Sequence, residues 1–276
     1  MSLTTKVKLN NGTEIPAVGL GVFKVEPGDE VYQAVRSALE LGYRHIDTAS
    51  FYGNEEGVGR AIKESGIPRE EIFVTTKVWN DEQGFEEAKA AFKRSLTRLQ
   101  MDYVDLYLVH WPFPGKFKDT YRALEEIYAE GKAKAIGVSN FLPHHLEELL
   151  KDAKVTPAVN QIELHPQLQQ KETRDFCAKH DIKIEAWAPL GKARYLDHPV
   201  LQELAEKHQK KPSQIMIRWE YQSGIITIPK SINKERQKEN ADIFDFSLTD
   251  EDMVKMLSMD AGNRLGKHPD KFDYGV

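Results

Sequence analysis

The sequence predicts a (β/α)8 TIM barrel, in which eight parallel strands close into a barrel surrounded by helices. Short β-branched and apolar runs alternate with longer helical patterns through the whole chain, which is the order expected of a parallel α/β sheet. No linker, low-complexity tract or change of composition divides the 276 residues. We therefore predict a single domain over residues 1–276, with an N-terminal hairpin and an extra C-terminal helix and tail.

Eight runs have the length and composition of buried strands. They cover residues 17–21, 44–47, 73–77, 104–110, 133–139, 158–163, 182–187 and 224–230. Helical patterns lie between them, each ending before a glycine, which suits the left-handed conformation at a helix end. The clearest of these helical patterns cover residues 30–40, 55–65 and 119–130.

The two ends of the chain lie outside this repeating unit. Residues 6–16 predict a small hairpin around an Asn-Asn-Gly turn, which would cover the bottom of the barrel. A further helix is expected after Thr249, followed by a polar tail from Gly262.

Composition narrows the classes of function. The chain is 40% hydrophobic, with a formal net charge of -5 and a pI near 6.0, so nothing draws it as a whole to nucleic acid or an anionic membrane. No apolar stretch approaches the roughly 20 residues needed to span a bilayer. The start has no signal-peptide core, and the lone Cys177 excludes an internal disulfide, so we expect a cytoplasmic protein.

Polar and aromatic side chains follow most of the predicted strands. Barrel enzymes carry their chemistry at the carboxyl ends of the strands, so these residues are the candidate site. In chain order they are Asp47 and Tyr52, Lys77 and Trp79, His110 and Trp111, Ser139 and Asn140, Gln161 and Glu163, Trp187, and Lys230 and Ser231. Asp, Tyr, Lys and His are the groups needed to deliver a proton to a carbonyl oxygen, which predicts a carbonyl-reducing enzyme.

Seven motifs in order make the chain resemble the aldo-keto reductase superfamily, with a pattern similar to its bacterial and protozoan glyoxal, methylglyoxal and 2,5-diketo-D-gluconate reductases. The motifs are DxxxxY at Asp47 and Tyr52, TTKVW around Lys77, DLYLVHWP ending at Pro112, GVSNF from Gly137, NQIELHP from Asn160, AWAPLG from Ala186, and IPKSxxxxRxxEN from Ile228. The resemblance implies a barrel that binds NADPH without a Rossmann domain, in agreement with the absence of a convincing GxGxxG.

The residue types at Asp47, Tyr52, Lys77 and His110 suggest how a proton would be delivered. A free tyrosine is a weak acid at neutral pH, with a pKa near 10. A neighbouring Lys77 cation would lower the pKa of Tyr52, and Asp47 would keep that lysine charged and oriented. His110 would donate a hydrogen bond to the carbonyl oxygen. The resemblance implies the same catalytic tetrad.

Lys230 and Ser231 follow the last strand and precede a short helix, so a phosphate there would meet cations and backbone amides. Arg236 is placed to approach the same anion, which suggests the 2′-phosphate of NADPH. By resemblance, Glu239 and Asn240 would contact the adenine of the cofactor. At the other end, Ser139, Asn140 and Gln161 would hydrogen-bond the nicotinamide carboxamide, and the Trp187 indole would stack on its ring. The resemblance also places Leu190 among the cofactor-binding residues.

Phe23, Trp79 and Trp111 would form an aromatic wall of the substrate pocket beside Tyr52 and His110. The tail from Gly262 is polar and short, so we expect it to leave the site open to small 2-oxoaldehydes such as methylglyoxal, or to keto-sugar acids. Two features depart from the pattern of relatives: the loop over residues 191–199, and Gln237 in place of an aliphatic residue.

Other readings of the same residues remain open. Asp47 could pair with Arg44, and Tyr52 and His110 could serve packing alone. Lys77 could be the Schiff-base nucleophile of a barrel aldolase. The chain could also be a non-catalytic NADPH-binding sensor or partner subunit.

Metal ions and partner proteins are not expected. His144 and His145 form no spaced ligand set with nearby residues, nor does His165, so we predict no catalytic metal. We expect a monomer whose partner is a small carbonyl compound.

Overall fold

The structure is a computed structural model that describes residues 2–274. In chain order, its strands are β1 (Lys6–Lys8), β2 (Glu14–Pro16), β3 (Leu20–Gly21), β4 (His45–Asp47), β5 (Phe73–Val78), β6 (Val104–Val109), β7 (Ala133–Ser139), β8 (Val159–Glu163), β9 (Lys183–Trp187) and β10 (Ile226–Thr227). Strands β3 to β10 lie in chain order in one parallel sheet. Parallel bridges from Val18 to Thr227 and from Gly21 to Lys230 join its two edges, which confirms the predicted barrel.

Helices connect successive strands and cover the outside of the sheet. They are α1 (Asp29–Glu40), α2 (Glu55–Glu64), α3 (Phe85–Leu99), α4 (Phe117–Ala129), α5 (Pro143–Leu150), α6 (Lys171–Lys179), α7 (Pro199–His208), α8 (Pro212–Gln222), α9 (Lys234–Ala241) and α10 (Asp250–Leu257). The three predicted helical patterns correspond to α1, α2 and α4, with ends that differ by one or two residues. Helix α10 is the helix expected after Thr249, whose hydroxyl accepts a hydrogen bond from the Asp252 amide.

Strands β3 and β10 are shorter than the predicted 17–21 and 224–230. They meet at the seam where the barrel closes, and isolated bridges replace a continuous ladder there. Backbone hydrogen bonds from Gly19 to the Thr227 carbonyl and from Thr227 to the Ala17 carbonyl, 2.9 and 3.0 Å long, still hold the seam together. The barrel is therefore closed at this seam, but regular strand structure extends over only two residues on each side.

Alternation along the strands separates two buried layers. Val74 and Val78 of β5 pack in the layer between sheet and helices, whereas Phe73 packs in the barrel floor. Lys77 lies on the same face as Phe73 and therefore projects into the barrel, above the floor. The floor consists of Leu9, Ile15, Phe73, Leu106, Leu108, Ala135, Ala158, Val159 and Ile226.

The N-terminal hairpin closes the bottom of the barrel, as predicted. Strands β1 and β2 pair antiparallel, and Gly12 adopts a φ of 88° in the turn between them. The Asn10 and Asn11 side-chain amides donate to the carbonyls of Pro157 and Lys134, at 3.0 and 2.9 Å. These bonds tie the turn to the segment that leads into β8 and to the start of β7.

Ile15 is fully buried in this floor, so its truncation tests the hairpin as a plug. Ile15→Ala is expected to lower the free energy of unfolding by about 2–5 kcal/mol, because it removes buried methyl groups and leaves a cavity. Urea denaturation measures the change, and Lys8→Ala, an exposed position on the same hairpin, is the control. An Ile15→Ala variant as stable as the control would show that the hairpin does not seal the barrel.

Candidate active site

A buried lysine joins the ends of β4 and β5. The Lys77 ammonium donates to Asp47 Oδ1 at 2.8 Å, to the Thr48 carbonyl at 2.9 Å and to Tyr52 Oη at 3.3 Å. Lys77 is completely buried, and Asp47 is 2% exposed. All three ammonium protons are thus used, which fixes the position of the charge next to the tyrosine hydroxyl.

Tyr52 is held by the loop that follows β4. Residues Ser50–Tyr52 form one turn of 3-10 helix, which ends at Gly53 with a φ of 67°. The buried Asn54 then anchors the loop: its Oδ1 accepts from the Thr48 hydroxyl at 2.8 Å, and its Nδ2 donates to the Val22 carbonyl at 2.9 Å. The loop that spans the five positions from Asp47 to Tyr52 therefore bends the chain back over Lys77.

Burial and charge compete in setting the ionisation of this cluster. Burial disfavours the Lys77 cation, but Asp47 and Tyr52 outweigh it and raise the pKa of Lys77. Burial raises the pKa of Asp47, opposed by Lys77 and Gln161. Both Asp47 oxygens accept from N–H donors, Lys77 Nζ at 2.8 Å and Gln161 Nε2 at 2.8 Å, so neither needs a proton of its own.

The pKa of Tyr52 differs in direction from the sequence prediction. Lys77 does lower it, as expected, but burial is the larger effect and raises the pKa of Tyr52 to about 12. The sequence could not give the degree of burial, which is why the prediction of a net decrease was wrong. Tyr52 is therefore protonated at neutral pH and able to donate.

His110 lies beside Tyr52, with ring centroids 5.8 Å apart. Burial, reinforced by Lys77, lowers the pKa of His110 well below its usual range, so the ring is neutral. Its Nδ1 is buried and has no hydrogen-bond partner among residues 2–274. A buried N–H without an acceptor is rarer than an unpaired acceptor, which favours the tautomer with the proton on Nε2.

Ser139, Asn140, Gln161 and Trp187 come together at the ends of β7, β8 and β9. The Asn140 Nδ2 donates to the His110 carbonyl at 3.0 Å, and its Oδ1 accepts from the Trp187 indole at 2.8 Å. Ser139 Oγ donates to the Gln161 carbonyl at 2.7 Å. Asn140 has a φ of 64°, which turns its side chain into this network.

Leu190 and the loop after it follow Trp187 in the chain. The loop, one of the two departures noted in the sequence, forms a short 3-10 helix over Gly191–Ala193. Lys192 Nζ donates to the Leu265 carbonyl at 2.9 Å, and the Tyr195 ring packs 5.6 Å from that of His165. The loop is therefore joined to the C-terminal tail.

The second departure, Gln237, is a buried anchor for helix α9. Its Nε2 donates to the carbonyls of Ala34 and Ser231, each at 2.9 Å, and its Oε1 accepts from Ser37 Oγ at 2.5 Å. Tyr43 adds a hydrogen bond to the Gln237 carbonyl at 2.8 Å. Helix α9 is thus fixed against α1.

The predicted phosphate-binding residues lie at the start of α9. Lys230 and Arg236 are exposed, and within residues 2–274 neither forms an ion pair with a carboxylate, whereas Lys234 on the same helix pairs with Glu40 at 2.7 Å. Ser231 is nearly buried and its Oγ accepts from the Asn233 amide at 3.1 Å. Two uncompensated cations at a helix start are suited to an anion.

Further along α9 lie the residues predicted at the adenine. Glu239 forms an ion pair with Lys211, and Asn240 is 4% exposed. The structure thus places these two side chains on the helix that follows the candidate phosphate site.

The predicted aromatic wall is present and larger than expected. Phe23 lies 5.0 Å from Tyr52, and Trp79 lies 4.9 Å from His110, as ring centroid distances. The wall also includes Phe51, which was not predicted from the sequence; it is half exposed and stacks on Trp79 at 3.7 Å. An exposed aromatic residue directly before Tyr52 was the signal that could have identified it.

The tail lies against the predicted substrate wall, and the expectation that it leaves the site open stays a prediction. Phe272 stacks on Trp111 at 4.4 Å and contacts Trp79 edge-on at 6.3 Å, while Tyr274 packs on Phe113 at 5.0 Å. The tail is polar in composition, but these two aromatic residues bring it against the wall. The average composition of the tail conceals these two aromatic residues, which were the sequence signal for the contact.

Two carboxylates hold the tail in place. Glu163, at the end of β8, accepts from the Leu265 and Gly266 amides at 2.6 and 2.9 Å. Gly266 lies so close to Trp187 that a Cβ atom there would be 2.4 Å from the indole. The tail thus packs against the ring predicted to face the nicotinamide.

The second carboxylate, Asp270, is hydrogen-bonded to His144 Nε2 at 2.9 Å, and the same oxygen lies 3.2 Å from His145 Nε2. The sequence missed this cluster because Asp270 is distant along the chain. His145 Nδ1 accepts from the Leu142 amide at 3.1 Å, so its Nε2 carries the proton. These contacts form a clasp between α5 and the tail. The ligand atoms of the three residues lie within 4.8 Å of one another, and the prediction that the protein uses no metal stays a prediction.

Together, the fold and site define a barrel protein with a buried Asp–Lys–Tyr relay and a neutral histidine at the carboxyl ends of its strands. The chain belongs to the aldo/keto reductase family, whose model matches residues 17–261, and it is an oxidoreductase.

Similar proteins extend over the whole chain. It is 57% identical over 270 residues to the glyoxal reductase of Bacillus subtilis, covering 98% of each chain. It is 45% identical over 276 residues to the methylglyoxal reductase DkgA of Escherichia coli, covering 99% of each. Among solved structures, a Gox0644 variant in complex with NADPH superposes with a TM-score of 0.93 at 44% identity, covering 98% of each chain.

None of the helices within residues 2–274 is both long and apolar enough to cross a membrane.

The neutral state of His110 can be measured directly. The ring signals of His110 in nuclear magnetic resonance spectra are expected to stay unchanged from about pH 7.5 to about pH 5.5, because burial and Lys77 oppose protonation. His110→Gln assigns the signals by their loss. A titration with a midpoint near the ordinary histidine pKa would contradict this electrostatic account.

Proposed function

We propose that this oxidoreductase uses NADPH to reduce small 2-oxoaldehydes such as methylglyoxal, or keto-sugar acids, to alcohols. The observation that carries the proposal is the protonated Tyr52 hydroxyl, held 3.3 Å from a buried lysine cation and beside a neutral histidine. Relatives named as glyoxal and methylglyoxal reductases support the substrate class. The solved complex of a similar chain with NADPH supports the cofactor.

Bound NADPH supplies the hydride that reduces the carbonyl carbon. Tyr52 donates its proton to the carbonyl oxygen, and the Lys77 cation stabilises the tyrosinate that remains. Asp47 keeps Lys77 charged and aimed at the hydroxyl. His110 donates from Nε2 to the carbonyl oxygen, which orients the substrate and stabilises the charge that develops there.

The chain's own residues fit NADPH at both ends. Lys230 and Arg236, which have no carboxylate partner in the described part of the chain, would bind the 2′-phosphate, with Ser231, Glu239 and Asn240 nearby. Because Gln161 donates both Nε2 protons inside the barrel, its Oε1 is the atom available to the carboxamide.

At the nicotinamide end, Ser139 and Asn140 would complete the contacts with the carboxamide. The Trp187 indole would stack on the ring, and Leu190 would line the same side of the cofactor.

The geometry disfavours the Schiff-base alternative. An aldolase lysine must lose its proton to attack a carbonyl, whereas Asp47 raises the pKa of Lys77 and its ammonium already donates three hydrogen bonds. The sensor alternative shares the cofactor site and differs only in turnover, so the activity experiment distinguishes it.

Four properties stay predictions: the organisation of residues 1–276 as a single domain, a monomeric state, a cytoplasmic location and the absence of a catalytic metal. The substrate wall of Phe23, Trp79 and Trp111 is proposed to accept small carbonyl compounds, now with Phe272 as part of it.

Tyr52→Phe tests the proton donor. The variant keeps the ring but lacks the hydroxyl, so kcat for NADPH oxidation with methylglyoxal is expected to fall roughly 10²- to 10⁴-fold. NADPH affinity, measured by fluorescence, should persist. Tyr103→Phe, on a tyrosine outside the site, is the control; full activity of Tyr52→Phe, or NADPH binding without turnover in the wild type, would contradict the proposal.

Arg236→Ala tests the phosphate site. Loss of a charged hydrogen bond worth about 1.5–3 kcal/mol is expected to weaken NADPH roughly tenfold to 150-fold while leaving NADH nearly unchanged. Lys230→Ala should act in the same direction. Lys234→Ala, on the same helix but paired with Glu40, is the matched control. An equal loss for both cofactors would mean that Arg236 does not contact the 2′-phosphate.

A further inference from the structure

A second buried carboxylate lies beneath the relay and has no part in the proton transfer. Glu185 of β9 is completely buried, and its Oε2 accepts from Gln161 Nε2 at 2.9 Å. The same nitrogen donates to Asp47 Oδ2 at 2.8 Å, so Gln161 bridges the two carboxylates. Lys77 is already paired to Asp47, and within residues 2–274 no lysine or arginine forms an ion pair with Glu185.

The other oxygen of Glu185 faces an imidazole. Its Oε1 lies 3.3 Å from Nε2 of His45, which is also completely buried, and neither of these two atoms has a regular hydrogen-bond partner within residues 2–274. The opposite ring nitrogen, Nδ1, lies 3.2 Å from the Pro16 carbonyl, which can only accept. The Nδ1 therefore carries a proton, and a neutral His45 presents only a lone pair to Glu185.

The ring has little room to adopt another orientation. A Cβ atom at Gly19 would be 2.6 Å from the His45 ring, so the imidazole packs directly on that backbone. Phe73 of the barrel floor contacts the ring edge-on at 5.2 Å. Pro16 belongs to β2, so the hairpin at the bottom of the barrel supplies the carbonyl that fixes the tautomer.

We propose that one proton lies between Glu185 Oε1 and His45 Nε2, with Glu185 as a neutral carboxylic acid, and that this uncharged pair positions Gln161 beneath the Asp47–Lys77 ion pair. Glu185 is a positioning residue, because it acts on the relay through Gln161. A carboxylate facing a lone pair would repel it, so the contact requires a proton.

Electrostatics places that proton on the glutamate. The ionisable groups facing the pair are Asp47 and Lys77, and Tyr52 lies beyond them. Burial, followed by Asp47, raises the pKa of Glu185 to about 8, whereas burial and Lys77 lower the pKa of His45 to about 3. An imidazolium–carboxylate pair would instead put a second cation near Lys77.

The first test is spectroscopic and independent of activity. The infrared difference spectrum of the wild type minus Glu185→Gln at neutral pH is expected to contain the carbonyl band of one protonated carboxylic acid, which shifts on ¹³C-glutamate labelling. Glu220, another buried glutamate, cancels because both proteins contain it. A difference spectrum with carboxylate bands instead would overturn the proposal.

The second test is the pH dependence of stability. A raised pKa stabilises the fold fully below the ordinary value of 4.5, and this stabilisation is lost as pH rises towards about 8. Glu185→Gln cannot titrate, so the wild type should lose stability relative to it across that window in urea unfolding. A constant difference between the two would contradict a protonated Glu185.

The third test separates positioning from packing, and it alone depends on the proposed function. Glutamine can donate to His45 and accept from Gln161, so Glu185→Gln should keep kcat within about twofold. Glu185→Leu leaves both partners unsatisfied, and its kcat should fall roughly tenfold to hundredfold. Equal losses in both variants would refute the neutral pair, whereas an inactive wild type would refute the proposed function instead.

Discussion

The buried ion pair between Lys77 and Asp47, 2.8 Å long, is the interaction on which the rest of the site depends. Burying two charges is costly, and breaking such a pair by removing one partner typically costs about 3–5 kcal/mol. Here the charges are compensated by the Thr48 carbonyl, Tyr52 and Gln161. The arrangement keeps a fixed positive charge beside a hydroxyl that burial holds in its protonated form.

The barrel makes this arrangement possible, because each group comes from a different strand. Asp47 ends β4, Lys77 lies near the end of β5, and Gln161 and Glu185 lie in β8 and β9. None of these strands could supply the cluster alone. The hairpin packs in the floor below the cluster, and the tail contacts the aromatic wall above it, so the floor, the relay and the aromatic wall form successive layers.

Much of the fold and of the candidate site could be predicted from the sequence. Strand alternation and the DxxxxY spacing predict the barrel and the Asp47–Tyr52–Lys77 cluster, because they are local patterns. The net pKa of Tyr52, the clasp at Asp270 and the contact between Glu185 and His45 depend on burial or on residues far apart in the chain. The position of Phe272 was missed for the same reason.

The most direct test of the central ion pair is a double-mutant cycle of Asp47→Asn and Lys77→Met on kcat/KM for NADPH-dependent reduction. If the two act as one unit, each single variant loses roughly 10²- to 10⁴-fold, and the double variant loses about as much as the worse single one. Losses that multiply in the double variant would show that Asp47 and Lys77 act independently, which would contradict this account.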